Sequence, residues 1–189
     1  MKLRHGTPFI YDDNSDIAGL RDPDGSELYL VMHTGTFIDL TDQTALADTA
    51  KAMTYTDTYI SKGITLREGS KVYVERTATF NVQFSAMFSN PEATAYAVSV
   101  WLKINGANAL GSCTDITVPA KHGSTNGKAV AAWNFFLELT AGDYFELYWS
   151  TPQATVFIEA QDVRTTPDRP AIPSVILTVN EVNGQRRAV

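Results

Sequence analysis

From about residue 80 onward the side chains alternate with a period of two, and this alternation confines the chain to β-structure. Phe80, Val82, Phe84, Ala86 and Phe88 alternate with Asn81, Gln83, Ser85 and Met87. Successive strand side chains point to opposite faces, so this run is a half-buried strand. Asn90-Pro91 ends it. Tyr96, Val98, Val100, Leu102 and Ile104 repeat the pattern as far as the turn pair Asn105-Gly106. A shorter strand over residues 112–118 stops at Pro119, and residues 121–128 form an aperiodic surface loop. Two long strands follow over residues 129–139 and 144–149, joined by a hairpin at Ala141-Gly142-Asp143. Residues 156–163 give a further strand. Pro167, Pro170 and Pro173 then postpone regular pairing until the last strand, residues 174–182.

Upstream, residues 50–55, 60–66 and 72–75 are earlier strands of the same sheets. No stretch has a convincing helical period; residues 43–53 come nearest and serve equally well as an edge strand. About eight to ten strands with turns at intervals of roughly 8–12 residues predict an all-β, two-sheet antiparallel jelly-roll sandwich. The first 46 residues differ in kind. Residues 1–23 are rich in Asp, Asn, Gly and Arg without periodicity, and residues 28–32 and 36–40 are candidate short strands. The expected organisation is an extended N-terminal arm over residues 1–46 that orders on a neighbour or partner. A jelly roll over residues 47–183 and a tail over residues 184–189 complete it.

Composition narrows the function. The 189 residues are 44% hydrophobic and 19% charged, enough for one packed core. A net charge of −6 opposes nucleic-acid binding, which needs clustered cations; the basic pair Arg186-Arg187 sits in the expected tail. Cys113 is alone, so no disulfide forms within the chain. Residues 1–10 lack a signal-peptide core, and no run reaches the roughly 18 apolar residues of a membrane span. The expectation is a soluble protein, with no membrane partner and no export signal.

Catalysis needs an activated group beside a positioned partner. His5, His33 and His122 lie far apart, none at metal-ligand spacing from another ligand type. His122 reads as a loop residue and Cys113 as a small buried hydrophobe. Asp22-Pro23-Asp24-Gly25-Ser26-Glu27 lacks the remaining ligands of a calcium loop and reads as a turn. The expectation is no enzyme, no cofactor and no metal.

Several strands nevertheless carry bulky groups on both faces. Tyr144, Glu146 and Tyr148 oppose Phe145, Leu147 and Trp149; Val130 and Phe136 oppose Trp133, Phe135, Leu137 and Leu139; Trp101 opposes Val100 and Leu102. One sandwich covers only one face of each sheet, so the second-face aromatics need other cover. Trp101, Phe136, Tyr144 and Tyr148 are therefore candidate subunit-interface residues, with a sugar-binding platform as the alternative.

Three stretches resemble the strand series of the tumour-necrosis-factor and complement-globular-head jelly rolls. They are Thr79-Phe80-Asn81-Val82-Gln83-Phe84-Ser85, Val98-Ser99-Val100-Trp101-Leu102-Lys103-Ile104-Asn105-Gly106, and Leu139-Thr140-Ala141-Gly142-Asp143-Tyr144-Phe145-Glu146-Leu147. That resemblance implies a TNF-like sandwich and a homotrimer. The last strand lacks the family's Phe-x-Gly centre, so animal receptor binding is not implied. Residues 118–136 and 166–179 are similar to short virion structural proteins of tailed phages. This second resemblance implies a virion protein assembled in the host cytoplasm, most simply a trimeric capsid decoration (cement) protein. The arm would then join the major capsid protein or another virion protein. A head or tail fibre knob binding a host receptor or glycan is the alternative.

Overall fold

The computed structural model of the chain describes residues 9–11, 17–21, 27–28 and 32–182. Of these, the residues up to Met32 belong to one compact unit and those from His33 to Val182 to a second. In the first, β1 (Phe9–Tyr11), β2 (Ile17–Arg21) and β3 (Glu27–Leu28) make an antiparallel sheet in that order. The Asp22-to-Glu27 turn lies outside the described residues except for Glu27, as does the tail over residues 184–189.

The second unit is a sandwich. Its strands are β4 (Thr34–Asp39), β5 (Lys51–Ala52), β6 (Asp57–Lys62), β7 (Ile64–Arg67), β8 (Lys71–Val74), β9 (Ala78–Asn90) and β10 (Tyr96–Ile104). They continue as β11 (Ala107–Asn108), β12 (Thr114–Val118), β13 (Gly127–Leu139), β14 (Tyr144–Ser150), β15 (Phe157–Ile158), β16 (Arg164–Thr165), β17 (Asp168–Arg169) and β18 (Val175–Glu181). Sheet I has the order β11-β10-β14-β8-β7, with β12 on β10 and β5 on β14; sheet II has the order β13-β9-β18-β4-β6, with β15 on β9. All pairings are antiparallel, and the architecture is the expected jelly roll.

The alternation read from sequence sets the core. Phe80, Val82, Ala86 and Phe88 of β9 pack with Val98, Val100 and Leu102 of β10, Phe145, Leu147 and Trp149 of β14, and Val175, Leu177 and Val179 of β18. The sandwich begins earlier than expected. Thr34–Asp39 is an inner strand of sheet II, paired with β18 on one side and β6 on the other, and its Phe37 is fully buried. The boundary therefore falls near residue 32 rather than 46.

Three further expectations need correction. Residues 60–66 are not one strand: Gly63, at φ +65°, turns the chain from β6 in sheet II into β7 in sheet I. Left-handed backbone of that kind favours glycine. Residues 156–163 form a strand only at Phe157–Ile158, where β9 runs past the end of β18, and beyond it Gln161 makes a single bridge to Ile172. Residues 50–55 form a strand on β14 only at Lys51–Ala52, followed by one further bond from Met53 N to Leu147 O at 2.8 Å. The proline-rich run holds a two-residue hairpin, β16 with β17.

Two polar clusters fix the frame. The Asp39 carboxylate, 1% exposed, accepts from Thr41 N at 2.8 Å, Thr41 Oγ1 at 2.6 Å, Thr54 Oγ1 at 3.1 Å and Gln43 Nε2 at 3.3 Å. Gln43 completes the cluster by accepting from Thr54 N at 2.9 Å. Replacing Asp39 by alanine strands these donors, which should cost about 2–4 kcal/mol. Urea unfolding measures it, and an unchanged midpoint would contradict the role. At the other site Asn90, fully buried, donates through Nδ2 to Thr94 O at 2.8 Å and Pro119 O at 3.0 Å, and accepts from Glu92 N at 2.9 Å.

The sandwich also closes where it starts. Thr34 pairs with Asn180, Glu181 N donates to His33 O at 2.9 Å, and the buried Glu181 carboxylate accepts from His33 N at 3.1 Å. Arg76 lies 3.5 Å from the same carboxylate.

Candidate functional site

The two outer faces of the sandwich hold the four interface candidates, and they divide them. Trp101, Tyr144 and Tyr148 stand on sheet I, and Phe136 stands on sheet II. A single patch containing all four does not exist.

On sheet I the cross-strand register makes two aromatic pairs. Trp101 faces Tyr148 with ring centroids 5.9 Å apart, and Tyr144 faces Tyr73 at 5.0 Å. Directly opposed side chains in an antiparallel sheet meet in this way. Three cations lie over these rings: Lys103 Nζ is 4.2 Å from the Tyr148 centroid, Arg67 Cζ 4.5 Å from that of Tyr73, and Lys71 Nζ 5.3 Å from that of Tyr144. Long basic side chains bury their stems on apolar surface and keep their charge in water. Much of the cover expected from a neighbouring subunit is thus supplied by the same chain, and Trp101, Tyr144 and Tyr148 are only partly exposed.

Electrostatics tie this face together. Glu146, between the two tyrosines of β14, is 5% exposed and accepts from Ser70 Oγ at 2.6 Å. Burial first, then the Glu146 carboxylate and Tyr144, push the Tyr148 phenol above its ordinary pKa, with Lys71 opposing. The hydrogen bond to Glu68 keeps Lys71 charged and raises its pKa. Tyr73, Arg67, Lys71 and Lys103 belong to this array and were missed as site residues. The signal for Tyr73 was present, an outward residue between Val72 and Val74.

Sheet II presents a different outer face. Cross-strand partners share a face, so one row runs Ala132, Ser85, Ile176, Ile38, Asp57 and the next Asn134, Gln83, Thr178, Thr36, Ile60. The one charge in either row is that of Asp57, on the edge strand β6. Val130 and Met87 extend the first row's side of the face, and Phe136 flanks the second. Val130 is 61% exposed, Phe136 63% and Ile60 41%. A shallow depression over Gln83, Ser85, Ile176 and Thr178 lies at the centre.

The remaining candidates stay apart. His122 lies in an exposed turn, hydrogen-bonded to Thr125 through the backbone. Cys113 is exposed, not buried as expected, because the chain turns through Leu110-Gly111 just before β12 and leaves it facing solvent. Among the described residues no group of three or more His, Cys, Asp or Glu side chains comes together to hold a metal. Among the described residues no helix is long and apolar enough to cross a membrane.

No family model and no curated protein matches the chain. Among solved structures it is similar to the Eiger TNF of S. frugiperda, with 10% sequence identity and a TM-score of 0.55 over 84% of this chain and 97% of that one. The sandwich is a TNF-like jelly roll, and at that identity the likeness concerns the fold alone.

Proposed function

We propose that this chain is a non-enzymatic structural subunit that assembles with copies of itself through the outer face of sheet II. The observation that carries this reading is the pair of rows whose one charge, Asp57, lies on the edge strand β6, with Val130 and Phe136 exposed beside them. Interface cores are depleted in charge relative to ordinary surface, which alternates both signs. The assembly is a homotrimer, as the resemblance to trimeric jelly rolls implies, and a closed ring leaves no open contact for filament growth.

The setting is a tailed-phage virion, where the trimer decorates and stabilises the capsid shell. Residues 118–136 and 166–179, similar to phage virion proteins, support that setting. The first unit, residues 1–32, is the element that attaches to the major capsid protein or another virion protein. Electron microscopy of labelled particles tests the placement: copies dispersed over the shell support decoration, whereas copies only at fibre tips support a receptor-binding knob.

Light scattering tests the assembly and the face together. The expected mass is three times 20.7 kDa. Phe136→Glu should reduce it to that of one chain, because each buried phenylalanine contributes on the order of 1.5–3 kcal/mol and a carboxylate there is desolvated without a partner. Tyr148→Glu, on sheet I, should leave the mass unchanged. The opposite result would return the interface to sheet I.

A further inference from the structure

The aromatic and cationic array on sheet I is not used by the assembly reading. The chain carries a net charge of −6, yet this face gathers Arg67, Lys71 and Lys103. Lys71 is paired with Glu68 at 2.6 Å, whereas Arg67 and Lys103 make no ion pair among the described residues, Glu146 standing across from Lys103 on β14. Each is held over a tyrosine ring, which fixes its stem and leaves its N–H groups toward solvent. The ring of Trp101, which no cation covers, is fixed in turn: its indole N–H donates to Asn108 Oδ1 at 3.0 Å. Donors and ring are preorganised, so a ligand would order few side chains on binding.

We infer that this face binds an acidic polysaccharide chain. Its carboxylates meet the unpaired charges of Arg67 and Lys103, and a sugar ring packs its C–H face on Trp101. The cations lie on β7 and β10, separated by β8 and β14, or roughly 14 Å at ordinary strand spacing, the reach of a short oligosaccharide. Charge density selects this ligand over nucleic acid. Glu68 and the buried Glu146 share the face, and three cations on an acidic chain do not replace the counterions of a continuous phosphate backbone. A polyuronate presents isolated carboxylates between neutral hydroxyls, which two unpaired cations and an aromatic ring match.

Calorimetry on the intact protein at low salt tests this. The probes are size-defined oligogalacturonate, neutral dextran of equal length and single-stranded oligodeoxythymidine. Oligogalacturonate should bind at least about tenfold more tightly than dextran, and more weakly as salt rises. Lys103→Gln and Arg67→Gln should each weaken it about threefold, within the range of exposed ion pairs. Trp101→Ala should cost about tenfold. Lys121→Gln, on the exposed loop after β12, should change nothing. The two charge variants sit at the surface and leave the core intact, so they remain informative even if Trp101→Ala disturbs the sheet. Equal binding of dextran, tighter binding of the oligonucleotide, wild-type affinity in both charge variants, or no binding at millimolar probe would each overturn the assignment. Subunit mass is a separate readout, so failure here leaves the assembly through sheet II standing or falling on its own test.

Discussion

A chain cut back to begin at residue 47 is expected not to fold, whereas one cut back to begin at residue 33 is expected to unfold cooperatively near the wild-type midpoint. The longer deletion removes β4 from between β18 and β6. It takes away Phe37, fully buried, together with Asp39 and Gln43, the acceptors for Thr54 Oγ1 and Thr54 N. Truncating a buried phenylalanine alone costs about 3–5 kcal/mol. Adding the orphaned donors and both lost ladders brings the sum to the whole stability of an ordinary domain, about 5–15 kcal/mol. Circular dichroism with urea titration on the two truncations checks this. A folded product from residue 47 would show that sheet II does not need its inner strand.

Among the described glycines, Gly127→Ala should be the most damaging substitution. A Cβ at this position would lie 1.9 Å from Pro119 O, 2.6 Å from Pro119 C and 2.7 Å from Ala120 O, all backbone atoms that cannot rotate aside. Retreat of that loop is opposed by Asn90, which holds Pro119 O at 3.0 Å and pairs across the sheet with Gly127 itself. Either the loop or the start of β13 must shift, at an expected cost of about 3 kcal/mol or more. Gly123→Ala is the control. Gly123 has φ +60° but nothing within 4 Å of an added Cβ, so only the backbone penalty of about 1–2 kcal/mol applies. Thermal melts of the two variants that coincide would mean the loop yields freely.

These two sites also show where sequence reading succeeds. β9, β10, β14 and β18 were legible because each places an unbroken apolar set on its inner face and polar or aromatic residues on the other. β4 was not. Its inner positions are Gly35, Phe37 and Asp39, a single hydrophobe among three, while Ile38, on the other face, is itself buried. An inner strand held by a buried carboxylate carries no period-two signal, so it merged with the polar segment before it. Residues 60–66 failed for a related reason, since one glycine inside an apolar run moves the chain between sheets without changing composition. On the outer faces the aromatics were correctly read as pointing outward. Their cover was not, because which cation lies over which ring depends on cross-strand register, and only pairings such as Trp101 with Tyr148 reveal it.

The closure of His33 against Glu181 makes the jelly roll a cassette whose two ends are neighbours. A short linker across that gap would let the chain be reopened at an exposed turn such as Leu110-Gly111, a circular permutation that preserves every ladder. The same adjacency decides the mechanical response. Force applied between residues 33 and 181 opens β4 from β18 one rung at a time, as a zipper. A load along the strands, applied at opposite ends of the pair, would instead strain all those rungs at once. A molecule with this geometry is weak when its own ends are pulled apart and strong when sheared along its strands.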